Sequence, residues 1–128
     1  MPAHFSDPFG GRSVPRVSVL AGGDSPERDI SLASGHAVAT AMRELGGEVR
    51  EIDPAEVPVS ECDWAAGDVV LLALHGPGGE DGTIQAALDS LGVRYTGCGV
   101  EASRLAFSKS RAKRCLDSAG VRTPEAVV

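Results

Sequence analysis

Two glycine-rich segments hold the residues best suited to chemistry. The first is Gly22-Gly23-Asp24-Ser25-Pro26-Glu27-Arg28. The second is His75-Gly76-Pro77-Gly78-Gly79-Glu80-Asp81-Gly82-Thr83. Glycine lets the backbone come close to a ligand, and a helix starting beyond each segment would present free N–H groups. Together these favour an anion by about 0.3–1 kcal/mol per helix terminus. Glu27 falls where a helix should begin. Its carboxylate could meet a substrate ammonium there, or simply cap the helix. His75 ends an apolar run, which places its ring at the mouth of a sheet, as a site group or as a packed, hydrogen-bonded histidine. Glu80 and Asp81 read as loop and cap residues. Paired carboxylates can bind metal, but no third ligand accompanies them. Arg104, Lys109, Arg111, Lys113 and Arg114 read as a solvated helix face, of which one lysine could contact a phosphate.

Neither segment is a nucleotide fingerprint. Gly76, Gly78 and Gly79 do not continue as G-x-G-x-x-G, because Asp81 takes the last glycine position, and no G-x-x-x-x-G-K-[ST] occurs. On spacing alone, two strand-to-helix turns with charged caps remain an equal reading.

The elements that must position these loops alternate. Residues 14–20 form a short β-branched-rich run that stops at Gly22-Gly23, and predict a buried strand. Asp24 and Ser25 offer N-caps and Pro26 suits a first helical turn. Ile30, Ala33, Ala37, Val38, Ala41 and Leu45 then recur at helical spacing until Gly46-Gly47. Gly35 inside this helix costs roughly 1 kcal/mol relative to alanine, which a close strand contact would explain. Residues 48–52 are a weaker strand. Residues 53–62 are irregular, with one helical turn. Residues 68–74 are apolar on both faces, as a central parallel strand should be. A helix with Ile84, Ala87, Leu88 and Leu91 closes at Gly92, and residues 93–96 form a short strand. Helices over 100–107 and 109–119 follow, the second capped by Gly120, and residues 121–128 look extended. This order predicts an α/β, three-layer, doubly wound parallel sheet. Its core should centre on Val17, Val19, Val69, Val70, Leu71, Leu72 and Leu74. Ligands of such sheets bind beyond the carboxyl ends of the strands, where both glycine loops fall.

Composition narrows the function classes. At 128 residues the chain has the size of one domain. With 42% hydrophobic and 23% charged residues it reads as globular. A net charge of -6 argues against a nucleic-acid surface. No apolar run reaches the ~20 residues of a membrane span, and residues 1–13 lack the apolar stretch of a secretory signal, reading as a disordered extension. Cys62, Cys98 and Cys115 show no metal or redox spacing, and read as buried thiols in a reducing cytoplasm.

In this order, the residues resemble the D-alanine–D-alanine ligases. His75-Gly-Pro-Gly-Gly-Glu-Asp-Gly-Thr-Ile-Gln-Ala86 is similar to the family's H-G-x-x-G-E-D-G signature. Residues 22–31 resemble its first loop, G-G-x-S-x-E-R-x-x-S, and residues 95–100 its Y-T-G-S-G-V. Phe107-Ser108-Lys109 falls where the family has M-D-K, and residues 121–124 resemble its lead into a central domain. The likeness runs from about residue 15 to the end. Cys98 stands for the usual serine. Ser108 stands for the usual aspartate, removing a charge beside Lys109.

The resemblance implies a Rossmann-like pre-ATP-grasp domain over residues 14–121, with 122–128 starting a linker to ATP-grasp domains the 128 residues do not contain. It implies a cytoplasmic, homodimeric ligase using ATP and Mg2+ (or Mn2+). One D-alanine is phosphorylated on its carboxylate, and the amine of a second attacks the acyl phosphate to give a peptidoglycan precursor. By that likeness Glu27 holds the ammonium of the first D-alanine and His75 lies beside it. Gly22 and Gly23 belong to the substrate loop, and Lys109 lies near the nucleotide. No metal ligand is implied here, and the 128 residues alone are expected to be inactive. They read as a fragment, a split product or a relic. The alternative reading is a binding module that kept the fold and lost the reaction.

Overall fold

The computed structural model describes residues 15–125. The expected extension over residues 1–13 and the end of the expected linker lie outside them. Four short strands, β1 (Val17–Leu20), β2 (Val49–Ile52), β3 (Val69–Leu72) and β4 (Arg94–Tyr95), form one parallel sheet in the order β2-β1-β3-β4. Val17 of β1 aligns with Val49 of β2 and Val69 of β3, and Val69 with Arg94 of β4. The helices are α1 (Arg28–Glu44), α2 (Thr83–Ser90), α3 (Val100–Phe107) and α4 (Lys109–Ser118). A single 3-10 turn, Val59–Glu61, interrupts the long connection after β2.

Apolar residues cover both faces of the sheet, giving a core on each side. Val17, Val19, Ala21 and Ala73 pack with Ala39 of α1 on one side. Leu20, Val70 and Leu74 pack with Ile84 and Leu88 of α2 on the other. This is the expected doubly wound layering.

The stripe that α1 turns to the sheet differs from the expected one. Ser31, Gly35 and Ala39 are buried, whereas Ile30 is 63% exposed and Leu45 51%. Ala33, Ala37 and Ala41 also face outward, leaving Val38 the half-buried member of the expected set. The helix lies too close to the sheet for branched side chains. A Cβ built on Gly35 would sit 2.3 Å from the Cβ of Ala21. Helical spacing therefore selects the larger residues, while the close approach selects the small ones.

Two other expectations need correction. Val69, Leu71 and Leu72 are half-buried. The largest fully buried side chains are Leu20, Leu88, Val19 and Val70. β1 is flanked by strands on both edges, but β3 runs past the two-residue β4, so the Leu72 N–H binds the Thr96 hydroxyl (3.1 Å) instead of a strand. The cysteines are unpaired thiols, yet Cys98 and Cys115 are exposed and Cys62 only half-buried. Cys98 lies in the loop after β4, and Cys115 on α4, which buries no residue. No described helix is long and apolar enough to cross a membrane.

At the amino end of the sheet, Asp68 anchors the strands. It accepts from Arg16 Nε (3.0 Å), Arg16 Nη2 (2.5 Å) and the Ala65 N–H (2.9 Å). The Arg16 hydrogen bond outweighs the cost of burial and holds the carboxyl below its ordinary range.

Three stability results follow. Leu20→Ala or Leu88→Ala should cost about 2–5 kcal/mol in chemical denaturation, and half-buried Leu71→Ala clearly less. Gly35→Ala should destabilise by about 1–3 kcal/mol through overpacking, although alanine is the better helix former. A stabilised Gly35→Ala protein would contradict the close helix–sheet contact. The advantage of wild type over Asp68→Asn should be complete above the unfolded carboxyl value of ~3.9. It should fade as pH falls through the depressed folded value, which paired denaturation series against pH would show.

Candidate functional site

Both glycine loops emerge at the carboxyl end of the sheet, and buried hydroxyls bind them together. Ser31, fully buried in the first turn of α1, accepts from the Gly22 N–H (2.8 Å) and donates to the Ala73 carbonyl (2.7 Å). One side chain thus joins the ends of β1 and β3. Ser25 donates to the His75 carbonyl (2.8 Å) and accepts from the Glu27 N–H (3.1 Å). Pro26 and Glu27 therefore form a turn ahead of the helix. α1 begins at Arg28, later than expected from Pro26, and Glu27 occupies its N-cap position without a side-chain cap bond.

The Gly22-Gly23 turn is held from β2. Asp53, just beyond that strand, accepts from the Gly23 N–H and the Ala55 N–H, both at 3.0 Å. Arg28 Nη2 lies 2.5 Å from Asp53 Oδ2, and Arg28 Nη1 donates to the Gly23 carbonyl (3.0 Å). Gly22, at φ +95°, leaves room for this carboxylate, since a Cβ there would lie 2.4 Å from Asp53 Oδ2. Burial works against the Asp53 charge. The Arg28 hydrogen bond and the two N–H groups outweigh it and hold the carboxyl below its ordinary range.

The second loop is braced within itself. Asp81 accepts from the Gly78 N–H (2.9 Å) and the Thr83 N–H (3.0 Å), and chiefly the first holds its carboxyl low. Asp81 thus fixes the turn, as its position suggested. Gln85 donates to the Gly79 carbonyl (2.9 Å). Gly79 packs on Leu74, where a Cβ would come within 2.5 Å of the leucine Cβ. Glu80 is more exposed, with its Oε1 3.9 Å from His75 Nδ1.

The five expected site residues divide between two adjoining spaces. Glu27 and Lys109 line an open cleft of about 540 Å³ with Gly76, Pro77, Glu80 and Phe107. Gly22, Gly23 and His75 line a cavity of about 190 Å³ with Leu74, Thr83 and Ile84. Pro77 borders both. Gly76, at φ +70°, brings the backbone against Glu27, since a Cβ there would stand 2.6 Å from Glu27 Oε2. Lys109 opens α4 directly after Ser108, which makes no side-chain cap bond. Among the described residues no three Asp, Glu, His or Cys side chains converge as a metal site.

Sequence reading missed the positions of Asp53, Ser25 and Ser31 in this arrangement. Both serines lie inside the first motif, where spacing alone does not separate a brace from a ligand contact. Asp53 carries no local signal. Its importance appears only once β2 is placed beside β1.

Comparison with known proteins agrees with the fold. Residues 49–98 match the family model described as D-ala D-ala ligase N-terminus. The chain is 48% identical to D-alanine–D-alanine ligase B of Chromobacterium violaceum over 109 residues, covering 85% of this chain and 36% of that protein. It is 44% identical to D-alanine–D-alanine ligase of Cereibacter sphaeroides over 118 residues, covering 92% and 38%. The crystal structure of D-alanine–D-alanine ligase from Bacillus anthracis superposes with a TM-score of 0.75 at 32% identity, covering 88% of this chain and 37% of that one. The same enzyme complexed with ATP gives 0.73 at 31% identity, covering 88% and 38%. The chain thus spans little more than a third of the length of these relatives.

The Ser31 brace is directly testable. Ser31→Ala would leave the Gly22 N–H and the Ala73 carbonyl without that partner in a dry interior. A loss of about 1–3 kcal/mol in denaturation is expected. Wild-type stability would show that the two strand ends do not depend on this hydroxyl.

Proposed function

We propose that this chain, which belongs to the D-alanine–D-alanine ligase family as that family's N-terminal domain, supplies the half-site for the first D-alanine. The whole reaction is read as ATP plus two D-alanines giving D-alanyl-D-alanine, ADP and phosphate through an acyl phosphate, for peptidoglycan synthesis. The observation that carries this reading is the cleft lined by both Glu27 and Lys109. A carboxylate at a helix start suits an ammonium, and a lysine suits a phosphate. In this reading Glu27 binds the amino group of the first D-alanine. His75, across Pro77, borders the same substrate, and the Gly22-Gly23 turn holds the loop beneath it. Lys109 faces the nucleotide.

Magnesium, when bound, neutralises charge on the transferring phosphoryl group. With no three metal-ligating side chains converging among the described residues, we assign that ion and most contacts to ATP to the ATP-grasp part of the ligase. The complete enzyme is read as a cytoplasmic homodimer, for which the exposed apolar stripe of α1 offers a surface.

Two measurements test this. The 128-residue chain, mixed with D-alanine, ATP and magnesium, should release ADP only at background, because phosphoryl transfer needs metal and cationic clamps that Lys109 alone does not supply. In the ligase that carries this domain, Glu27→Gln should weaken use of D-alanine by about 2–5 kcal/mol, the usual cost of removing one partner of a desolvated charge pair. The ATP Michaelis constant should hardly move. If the D-alanine kinetics stay near wild type while the ATP constant rises, Glu27 serves the nucleotide or merely caps its helix.

A further inference from the structure

Asp53 lies outside both sequence motifs and belongs to a different strand from either loop. Its side chain is only 10% exposed. A buried carboxylate is costly unless it is paired and hydrogen-bonded, so its partners indicate what holds it there. Besides the local Ala55 N–H, they are the two ends of one short segment. Oδ1 takes the Gly23 N–H, and Oδ2 faces the Arg28 guanidinium, which reaches back to the Gly23 carbonyl. Glu27 sits inside the segment so closed, immediately before Arg28. From the other side, Gly76 packs against the Glu27 carboxylate, and Ser25 ties the Glu27 N–H to the His75 strand end.

We infer that Asp53 is a positioning residue for substrate binding: by clamping residues 23 and 28 to the end of β2 it fixes Glu27 at the rim of the cleft. This rests on the reading of Glu27 as the ammonium-binding group. Asp53 does not line the cleft, so it acts on a bound substrate through the loop it holds, which carries Glu27. Misplacement of a binding group by about 1 Å can cost up to about a hundredfold.

Amide hydrogen exchange of the 128-residue chain tests the clamp without any ligand. In Asp53→Ala, the Gly23 and Glu27 amides should exchange at least about tenfold faster, while the Val70 amide in β3 keeps its wild-type rate. Asp53→Asn, which keeps the shape and one acceptor, should fall between. Glu56→Gln, altering an exposed carboxylate 3.6 Å from Arg28, should match wild type. A merely structural role would speed all amides together, and that result, or unchanged Gly23 and Glu27 rates, would overturn the inference.

The second arm uses the ligase that carries this domain. Asp53→Asn should raise the D-alanine Michaelis constant roughly tenfold with little change in kcat, and add little to Glu27→Gln, because coupled residues are not additive. Full additivity in the double variant would show that Asp53 acts elsewhere and would overturn the inference. If Glu27→Gln alone leaves D-alanine use intact, the reading of Glu27 fails, whereas the exchange result still decides whether the clamp exists.

Discussion

The arrangement of both loops depends on one buried hydroxyl. Ser31 bonds the first residue of the Gly22-Gly23 turn and the chain leaving β3 at Ala73. β1 and β3 are adjacent and parallel, so their ends would lie near each other in any case. Proximity does not fix the direction in which each chain leaves the sheet, and a buried hydrogen bond does. Because Ser31 rides on α1, the same bond sets the height of the helix above the sheet. The contact of Gly35 with Ala21, one turn further along, follows from that height. Helix position, turn geometry and loop exit are thus one constraint.

Five polar residues of the two motifs are consumed by scaffolding of this kind. Ser25, Arg28, Ser31, Asp81 and Gln85 bond the backbone of one of the glycine loops or of a strand end. A glycine loop near a ligand gives up side chains that would otherwise pack it, and these bonds restore its rigidity. Glu27 and Glu80 of these motifs line the cleft, where Lys109 joins them from α4. A long motif therefore marks a built loop more than a row of ligand contacts. Only a few of its members are available for binding.

That division explains what could be read from the chain. Element order, the central place of the 68–74 run and the position of the glycine loops were legible because they rest on periodicity and on Gly and Pro punctuation. The buried face of α1 was not, because spacing rewards Ile30 and Leu45 while a close helix–sheet contact rewards Gly35 and Ala39. The depth of Leu71 was hidden for a related reason: it depends on what packs over its face of the sheet, where it only borders the cluster beneath α1. For the candidate site, element order placed the glycine loops with Glu27 and His75 at the carboxyl end of the sheet, where they lie. Their separation into two spaces by the Gly76-Pro77 backbone had no one-dimensional signature. Neither had Asp53, whose partners in the first loop are 25 to 30 residues away.

The two elements that bring Glu27 and Lys109 to the cleft are also unequally anchored. Glu27 rests on α1, which buries three residues against the sheet and is held by Ser31, Arg28 and Asp53. Lys109 opens α4, which buries none and packs on α3. Free energies of local opening follow buried contacts, so the element carrying the carboxylate is the rigid one and that carrying the lysine the compliant one. On the proposed reading, a small ammonium ligand is well served by this division. With few atoms to contribute affinity, it gains most from a partner that needs no ordering on binding. A phosphate held by a long, flexible lysine tolerates an element that adjusts, because the charge can follow it. The sequence difference at Ser108 falls on the compliant side, where an altered neighbour disturbs least of the framework that holds Glu27.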